Sequence, residues 1–197
     1  MKVKFGFKNV HVFPMTETAD AQGVITMDYD SAIAVPGAVN MTLDVSEESP
    51  DPFYADDGVY YLPAGDSSGY TGNLEVAVIP DEVKTALMSF IMDSDDVMIE
   101  LKESSQKLFG MTFEIATDDK ARKLVYYKCQ FGRPSLAAST NTNTKTPQTD
   151  TASITVMPTS QLFTLDGEAK SVISGYSTPD TDSTVYSSWH TSIHLPA

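Results

Sequence analysis

The stretch VNMTLDV, residues 39–45, carries an apolar side chain at every second position. Its apolar members are Val39, Met41, Leu43 and Val45, and the polar residues between them are Asn40, Thr42 and Asp44. Successive side chains of a β-strand point to opposite faces of a sheet, so this alternation predicts a strand with one buried and one wet face. Because strands need other strands as partners, the stretch predicts a fold rich in β-structure.

The same alternation recurs along the chain and predicts a mostly β fold. It is found in Val3, Phe5 and Phe7; Leu74, Val76 and Val78; Val97, Ile99 and Leu101; Met111, Phe113 and Ile115; and Val125, Tyr127, Cys129 and Phe131. Cys129 lies on the apolar side of the last of these strands, where a cysteine behaves as a small buried hydrophobe. It is the single cysteine of the chain, so an intrachain disulfide is excluded.

Two segments have helical spacing instead. After Pro80, an apolar stripe that includes Val83 and Leu87 follows acidic residues in the first turn, which predicts a helix over residues 81–92. A second, shorter helix is predicted within residues 180–193, where Val185 and Trp189 share one face.

Length and charge limit the possible functions. The 197 residues show no internal repeat and no change of composition, so one domain spanning residues 1–197 is expected. A net charge of -14 has the wrong sign for tight binding to a phosphate backbone. No apolar run reaches the roughly 20 residues of a bilayer span, so no membrane partner is expected. The start, MKVKFGFKNV, lacks the pattern of a secretory signal, which predicts a protein that stays where it is made.

Two polar segments are longer than ordinary connections between strands. Residues 46–72 are predicted to form a long arm and residues 137–151 a loop, and both segments are predicted to become ordered only in an assembly. The arm contains the aromatic residues Phe53, Tyr54, Tyr60, Tyr61 and Tyr70. Such rings are enriched where protein surfaces meet, but they could equally fold back and cap the sheet of their own subunit.

Residues with catalytic potential are few. Asp56 and Asp57 are adjacent, and on an extended chain they point to opposite faces, so they are interpreted as solvated loop acids. The glycines of GDSSGYTG, residues 65–72, are interpreted as a flexible linker. His190 and His194 are four residues apart, but no acidic third ligand stands near them in the sequence. We therefore expect no catalytic residue, no metal site and no cofactor, and the protein is not expected to be an enzyme.

Seven segments, taken together and in order, resemble the major tail tube proteins of siphophages, the viruses with long non-contractile tails. They are KVKFGFKNVHVFP (2–14), IAVPGAVNMTLDVS (33–46), DPFYADDGVYY (51–61), GYTGNLEVAVIPDEV (69–83), YYKCQFGRPS (126–135), PQTDTASITVMP (147–158) and VYSSWHTSI (185–193). The resemblance covers nearly the whole chain, although residues 89–107 have no counterpart in it.

The resemblance implies a β-sandwich or half-barrel with one flanking helix. It further implies that six copies form a ring with a continuous β-barrel as its inner wall, and that rings stack into a tube through which DNA passes without tight binding. The expected partners are other copies of the chain and the tape measure, tail terminator and distal tail proteins, and the expected location is the virion after assembly in the host cytoplasm. The arm residues expected to contact a neighbouring subunit are Phe53, Tyr54, Asp56, Asp57, Tyr60, Tyr61 and Tyr70.

Two other functions remain open at the level of sequence. The first is a stand-alone β-sandwich that binds a carbohydrate through its tyrosine-rich loop. The second, which the residues favour less, is an acid-catalysed hydrolase that uses Asp56 or Asp57.

Overall fold

The computed structural model describes residues 6–47, 51–61, 67–102, 107–115, 121–136, 138 and 148–196. The strands are β1 (Phe7–Ala19), β2 (Ile25–Tyr29), β3 (Ile33–Val35), β4 (Ala38–Glu47), β5 (Phe53–Ala55), β6 (Gly58–Tyr61), β7 (Ser67–Val76), β8 (Phe90–Met92), β9 (Met98–Glu100), β10 (Leu108–Ile115), β11 (Lys123–Ser135), β12 (Asp150–Met157), β13 (Phe163–Leu165), β14 (Glu168–Lys170) and β15 (Ser174–Ser177). The helices are α1 (Asp81–Leu87) and α2 (Ser183–Ser188). Neither helix has the length or the apolar character needed to cross a membrane.

Nine strands form one large antiparallel sheet, which confirms the predicted mostly β fold. The strand order is β2-β1-β10-β11-β12-β7-β4, with β3 also paired to β1 and β15 also paired to β11. Three small hairpins, β5–β6, β8–β9 and β13–β14, lie outside this sheet. The strand predicted at residues 39–45 is β4, whereas Val3 and Phe5 of the predicted first strand lie outside the described residues.

The large sheet curls into an open barrel, because the chain links its two ends although no described strand joins β4 to β1 or β3 by hydrogen bonds. β3 pairs with β1 and β4 pairs with β7, yet only Pro36 and Gly37 separate β3 from β4. The amide of Ala77 donates a 2.7 Å hydrogen bond to the carbonyl of Gly37, which fixes the junction against the end of β7. Gly37 has a φ of 76°, and a Cβ there would lie 2.7 Å from the Ala77 Cβ, so this position requires glycine.

The barrel encloses the main hydrophobic core. Fully buried side chains from opposite sides of the sheet meet inside it, among them Val12, Val76, Met111 and Ile154. The rings of Phe109 and Phe131 stack at 4.2 Å. Val83 and Leu87 of α1 belong to the same cluster, so the helix packs against the barrel interior.

A β-bulge in β11 makes one prediction wrong. Phe109 pairs with Cys129 and Met111 with Tyr126, so Gly110 faces two residues of β11 instead of one. The extra residue puts Val125 and Tyr127 on the outer face, against Trp189, while Cys129 and Phe131 face the core. The predicted burial of Cys129 is confirmed, but it does not share a face with Val125 and Tyr127 as predicted.

The first helix begins where predicted and ends earlier. Met88 caps α1, and Ser89 adopts a φ of 61°, which turns the chain so that Phe90–Met92 form β8 instead of a last helical turn. The second predicted helix is also shorter, covering only Ser183–Ser188. Asp182 begins it by accepting a 2.9 Å hydrogen bond from the amide of Thr184.

Much of the predicted arm is strand. β4 runs as far as Glu47 and β7 starts at Ser67, so the ends of the segment pair with each other. The flexible-linker interpretation of residues 65–72 is wrong for residues 67–72, which lie in β7. A Cβ on Gly69 would lie 1.9 Å from the Val156 carbonyl oxygen, so this glycine allows a close approach of strands. Of the predicted loop 137–151, residues 150–151 belong to β12, while residues 137 and 139–147 lie outside the described residues.

Candidate subunit interface

The arm carries a short hairpin, β5–β6, which we name the arm hairpin (Phe53–Tyr61). Ala55 pairs with Gly58, and Asp56 and Asp57 form the two-residue turn between them. Their φ angles are 50° and 61°, as a type I′ turn requires of both central residues. The two acids therefore lie in a turn and not on an extended chain, and their backbone conformation gives them a structural role.

The aromatic side chains of the arm hairpin face solvent. The exposed fractions are 60% for Phe53, 64% for Tyr54, 74% for Tyr60 and 61% for Tyr61. Within the hairpin, the Phe53 and Tyr60 rings meet edge to face at 6.4 Å. These four rings thus do not cap the sheet of their own subunit. Their contact with another subunit stays a prediction.

Tyr70, the remaining aromatic residue predicted for the arm, lies elsewhere. It is half-buried in β7 between Val45 and Val156, and its ring is 5.8 Å from that of Tyr126. It packs against the barrel core and is not part of the exposed ring cluster.

β4 lies at one end of the large sheet. Among the described strands only β7 is hydrogen-bonded to it. Sheet edges are commonly protected by Lys, Pro or β-bulges, and residues 38–47 contain neither Lys nor Pro. Register shifts occur only near its two ends, between Ala38 and Asn40 and between Ser46 and Glu47. In the part of the chain that the structure describes, the regular stretch between them is paired on one side only.

The outer face of β4, β7 and β12 is a grid of polar side chains, which we name the polar grid. Its cross-strand rows are Asn40, Glu75 and Thr151; Thr42, Asn73 and Ser153; and Asp44, Thr71 and Thr155. These nine residues include two acids and no cation. The alternate residues on the same strands, such as Leu74 and Ile154, face the core.

A second exposed apolar feature is the β8–β9 hairpin. Ile91 and Ile99 form a cross-strand pair and are 45% and 40% exposed, and Val97 is 52% exposed. Arg133 holds the base of this hairpin through a 3.1 Å ion pair with Glu100. The hairpin falls in the part of the sequence, residues 89–107, that the resemblance leaves unmatched.

One polar cluster, which the sequence did not predict, contains a carboxylate, an imidazole and a hydroxyl. Glu114 Oε1 lies 2.8 Å from His190 Nε2, and Thr112 Oγ1 lies 2.9 Å from His190 Nδ1. This order of groups is that of hydrolytic triads, but Thr112 is only 1% exposed, so its hydroxyl cannot meet a substrate in this structure. Because 76 residues separate Glu114 from His190, no local pattern could have paired them.

His190 and His194 do not converge on a common ligand. His190 contacts Glu114, whereas the His194 ring stacks 6.4 Å from Trp189. Among the described residues there is no group of three or more His, Cys, Asp or Glu side chains placed to hold a metal ion.

A scan against protein-family models and a search of curated proteins gave no match to this chain. The function is therefore argued from the geometry of the arm hairpin, the β4 edge and the polar grid.

Proposed function

We propose that the chain is the structural subunit of a phage tail tube, in which six copies form a ring and the rings stack around a DNA channel. The observation that carries the proposal is the exposed aromatic cluster of the arm hairpin. Each of its rings could bury on the order of 150 to 250 Å². Exposed apolar patches of this kind mark sites where proteins associate, so the hairpin is the anchor that contacts a neighbouring subunit.

The edge of β4 that no described strand covers supports the same function. An exposed strand edge can be extended by a strand of another chain, which gives affinity through main-chain hydrogen bonds. Pairing along the regular part of β4 would continue the sheet from one subunit to the next. A ring built in this way has a β-sheet wall and leaves this edge covered in every copy.

The polar grid supports a DNA channel. A face of Thr, Ser and Asn side chains gains little from burial, so it is suited to remain in water after assembly. Its carboxylates, Asp44 and Glu75, repel phosphate, and the absence of Lys and Arg from the grid removes the groups that would hold DNA in place. DNA could then move past this face without tight binding.

The carbohydrate-binding alternative has less support. Phe53 and Tyr60 are inclined at 81°, so these two rings do not share one flat platform for a sugar. The hydrolase alternative is also weakened, because Asp56 and Asp57 form the turn of the arm hairpin.

The test is the assembly of a double variant, Phe53→Ala with Tyr54→Ala. Truncating a buried aromatic anchor costs on the order of 2 kcal/mol or more, and the loss recurs at every subunit contact. We expect regular tubes from the parent protein and folded, unassembled subunits from the variant. Sedimentation and negative-stain electron microscopy measure assembly, and circular dichroism checks folding.

The matched control is Tyr176→Ala, which removes a 62% exposed ring outside the arm. It is expected to form normal tubes. Normal tubes from the arm variant would remove the arm hairpin from the interface. A parent protein that stays monomeric at its highest soluble concentration would overturn the proposal of self-assembly.

A further inference from the structure

The C-terminal segment, residues 183–196, forms a strap across the outside of the barrel. Trp189 is 4% exposed, packs on Val125 and Tyr127, and donates a 3.2 Å hydrogen bond from Nε1 to the Leu124 carbonyl. A Cβ on Gly110 would lie 2.1 Å from Ile193 Cδ1, so the absence of a side chain at residue 110 makes room for the strap. The strap therefore covers an apolar area of the barrel wall.

His190 is the polar anchor of the strap. It bridges Glu114 and Thr112 of β10, and the side chains of His190 and Glu114 are only 15% and 17% exposed. The neutral ring can satisfy both contacts at once, because Nε2–H donates to the carboxylate while Nδ1 accepts from the hydroxyl of Thr112.

The surroundings of His190 are rich in positive charge. Lys8 of β1 lies 3.5 Å from Glu114 and Lys123 of β11 lies 4.0 Å from it, so two ammonium groups already face this carboxylate. The His11 ring of β1 stacks on the His190 ring at 5.1 Å. A proton on His190 adds positive charge where the two ammonium groups already outnumber the carboxylate.

We propose that the strap is an acid-released latch, in which protonation of His190 frees residues 183–196 while the barrel stays folded. Release would expose the outer face of Val125 and Tyr127. Histidine is suited to this role because its charge changes between about pH 8 and pH 5. The latch is independent of the proposed assembly, because it concerns contacts within one subunit.

The pKa shifts agree in sign with the latch. Burial, together with His11 and Lys123, lowers the pKa of His190 against the opposing effect of Glu114. His190 therefore binds a proton less readily in the docked strap than in the free strap, where its pKa is the ordinary 6.5. Docking weakens as the pH falls below that value, because the proton stabilises the free strap more than the docked one. Burial alone would raise the pKa of Glu114, but His190, Lys8 and Lys123 together lower it, and the stability from this carboxylate is lost only below its ordinary 4.5.

Trp189 reports the latch directly, because it is the only tryptophan of the chain. The experiment follows its fluorescence from about pH 7.5 to about pH 5, the range in which histidine titrates. Because the His194 ring stacks on Trp189 and would affect its fluorescence directly, the measurement uses a His194→Gln background. We expect a red shift with a midpoint below pH 6.5, an unchanged far-ultraviolet circular dichroism spectrum, and faster hydrogen exchange in residues 185–195 than in β10.

The deciding variant is His190→Gln, whose amide can donate to Glu114 but does not titrate. We expect Trp189 to remain buried at about pH 7.5 and the acid transition to disappear. If this variant fails to dock the strap, His11→Gln provides the second test. It leaves His190 in place, removes one source of like charge, and is expected to move the transition to lower pH. Three results would each overturn the latch. The first is Trp189 fluorescence in the parent protein that does not change with pH, and the second is an unchanged acid transition in His190→Gln with a docked strap. The third is an unshifted midpoint in His11→Gln.

Discussion

The adjacent acids of the arm show how backbone geometry limits the chemistry of a residue. Asp56 and Asp57 both occupy positive φ, a region that Asp, Asn and Gly tolerate and that β-branched residues avoid. The sequence contained only a displaced signal for this turn: Asp57-Gly58 is an Asp-Gly hairpin pattern, but the central residues of the turn are Asp56 and Asp57, and Gly58 already pairs with Ala55. The Pro and Ser content of residues 46–72 favours a loop, so the sequence predicts an irregular segment. Its centre is instead the arm hairpin.

The turn gives a prediction at the scale of the residue. Asp56→Val with Asp57→Val should fray the arm hairpin, because each β-branched residue at positive φ costs at least about 1 to 2 kcal/mol. Asp56→Asn with Asp57→Gly should preserve it. Hydrogen exchange of the peptide covering residues 53–61 measures the difference, and equal protection in both variants would show that the turn does not depend on these conformations.

At the scale of the element, period-two alternation located strands well but could not locate their irregularities. The bulge in β11 lies opposite Gly110 of a partner strand, and α1 ends where Phe90 pairs with Glu100. Neither is a property of the local sequence. Long-range pairing also explains an error in the candidate site. The aromatic residues of the arm were predicted as one group, but Tyr70 lies apart from the others because it pairs with Val45 and Val156.

The packing of α1 supports a prediction of stability. Leu87 is 0% exposed and lies in the main core cluster, so Leu87→Ala removes buried apolar atoms and leaves a cavity. The free energy of unfolding should fall by about 2 to 5 kcal/mol, measured by chemical denaturation. Thr85→Ala, at an exposed position of the same helix, should change it by less than about 0.5 kcal/mol. An unchanged denaturation midpoint for Leu87→Ala would mean that the helix contributes little to the core.

At the scale of the whole molecule, the curling of the large sheet decides which surfaces are available for assembly. The link through Pro36 and Gly37 leaves one edge of β4 unpaired among the described strands, and the polar grid faces outward. The sequence predicted strands with one polar face, but the register that aligns Thr42 with Asn73 and Ser153 arises only when three distant segments pair. A surface of this kind is therefore visible only in the folded chain.

The polar grid yields a prediction that rests on the proposed tube. Asn73→Lys with Ser153→Lys places two cations on one cross-strand pair, and the subunit should still assemble, because this face remains in water. If the grid lines the channel, the tubes should retain a short single-stranded oligonucleotide at low salt and shield it from a nuclease too large to enter, since lysines hold phosphates by releasing counterions. The matched control, Thr164→Lys with Ala169→Lys, adds the same charge to an exposed cross-strand pair of β13–β14 and should leave the oligonucleotide open to digestion. If the nuclease digests the oligonucleotide bound to tubes of the grid variant, the grid lies outside the channel. If the grid variant folds but no longer assembles, the grid is a contact between subunits.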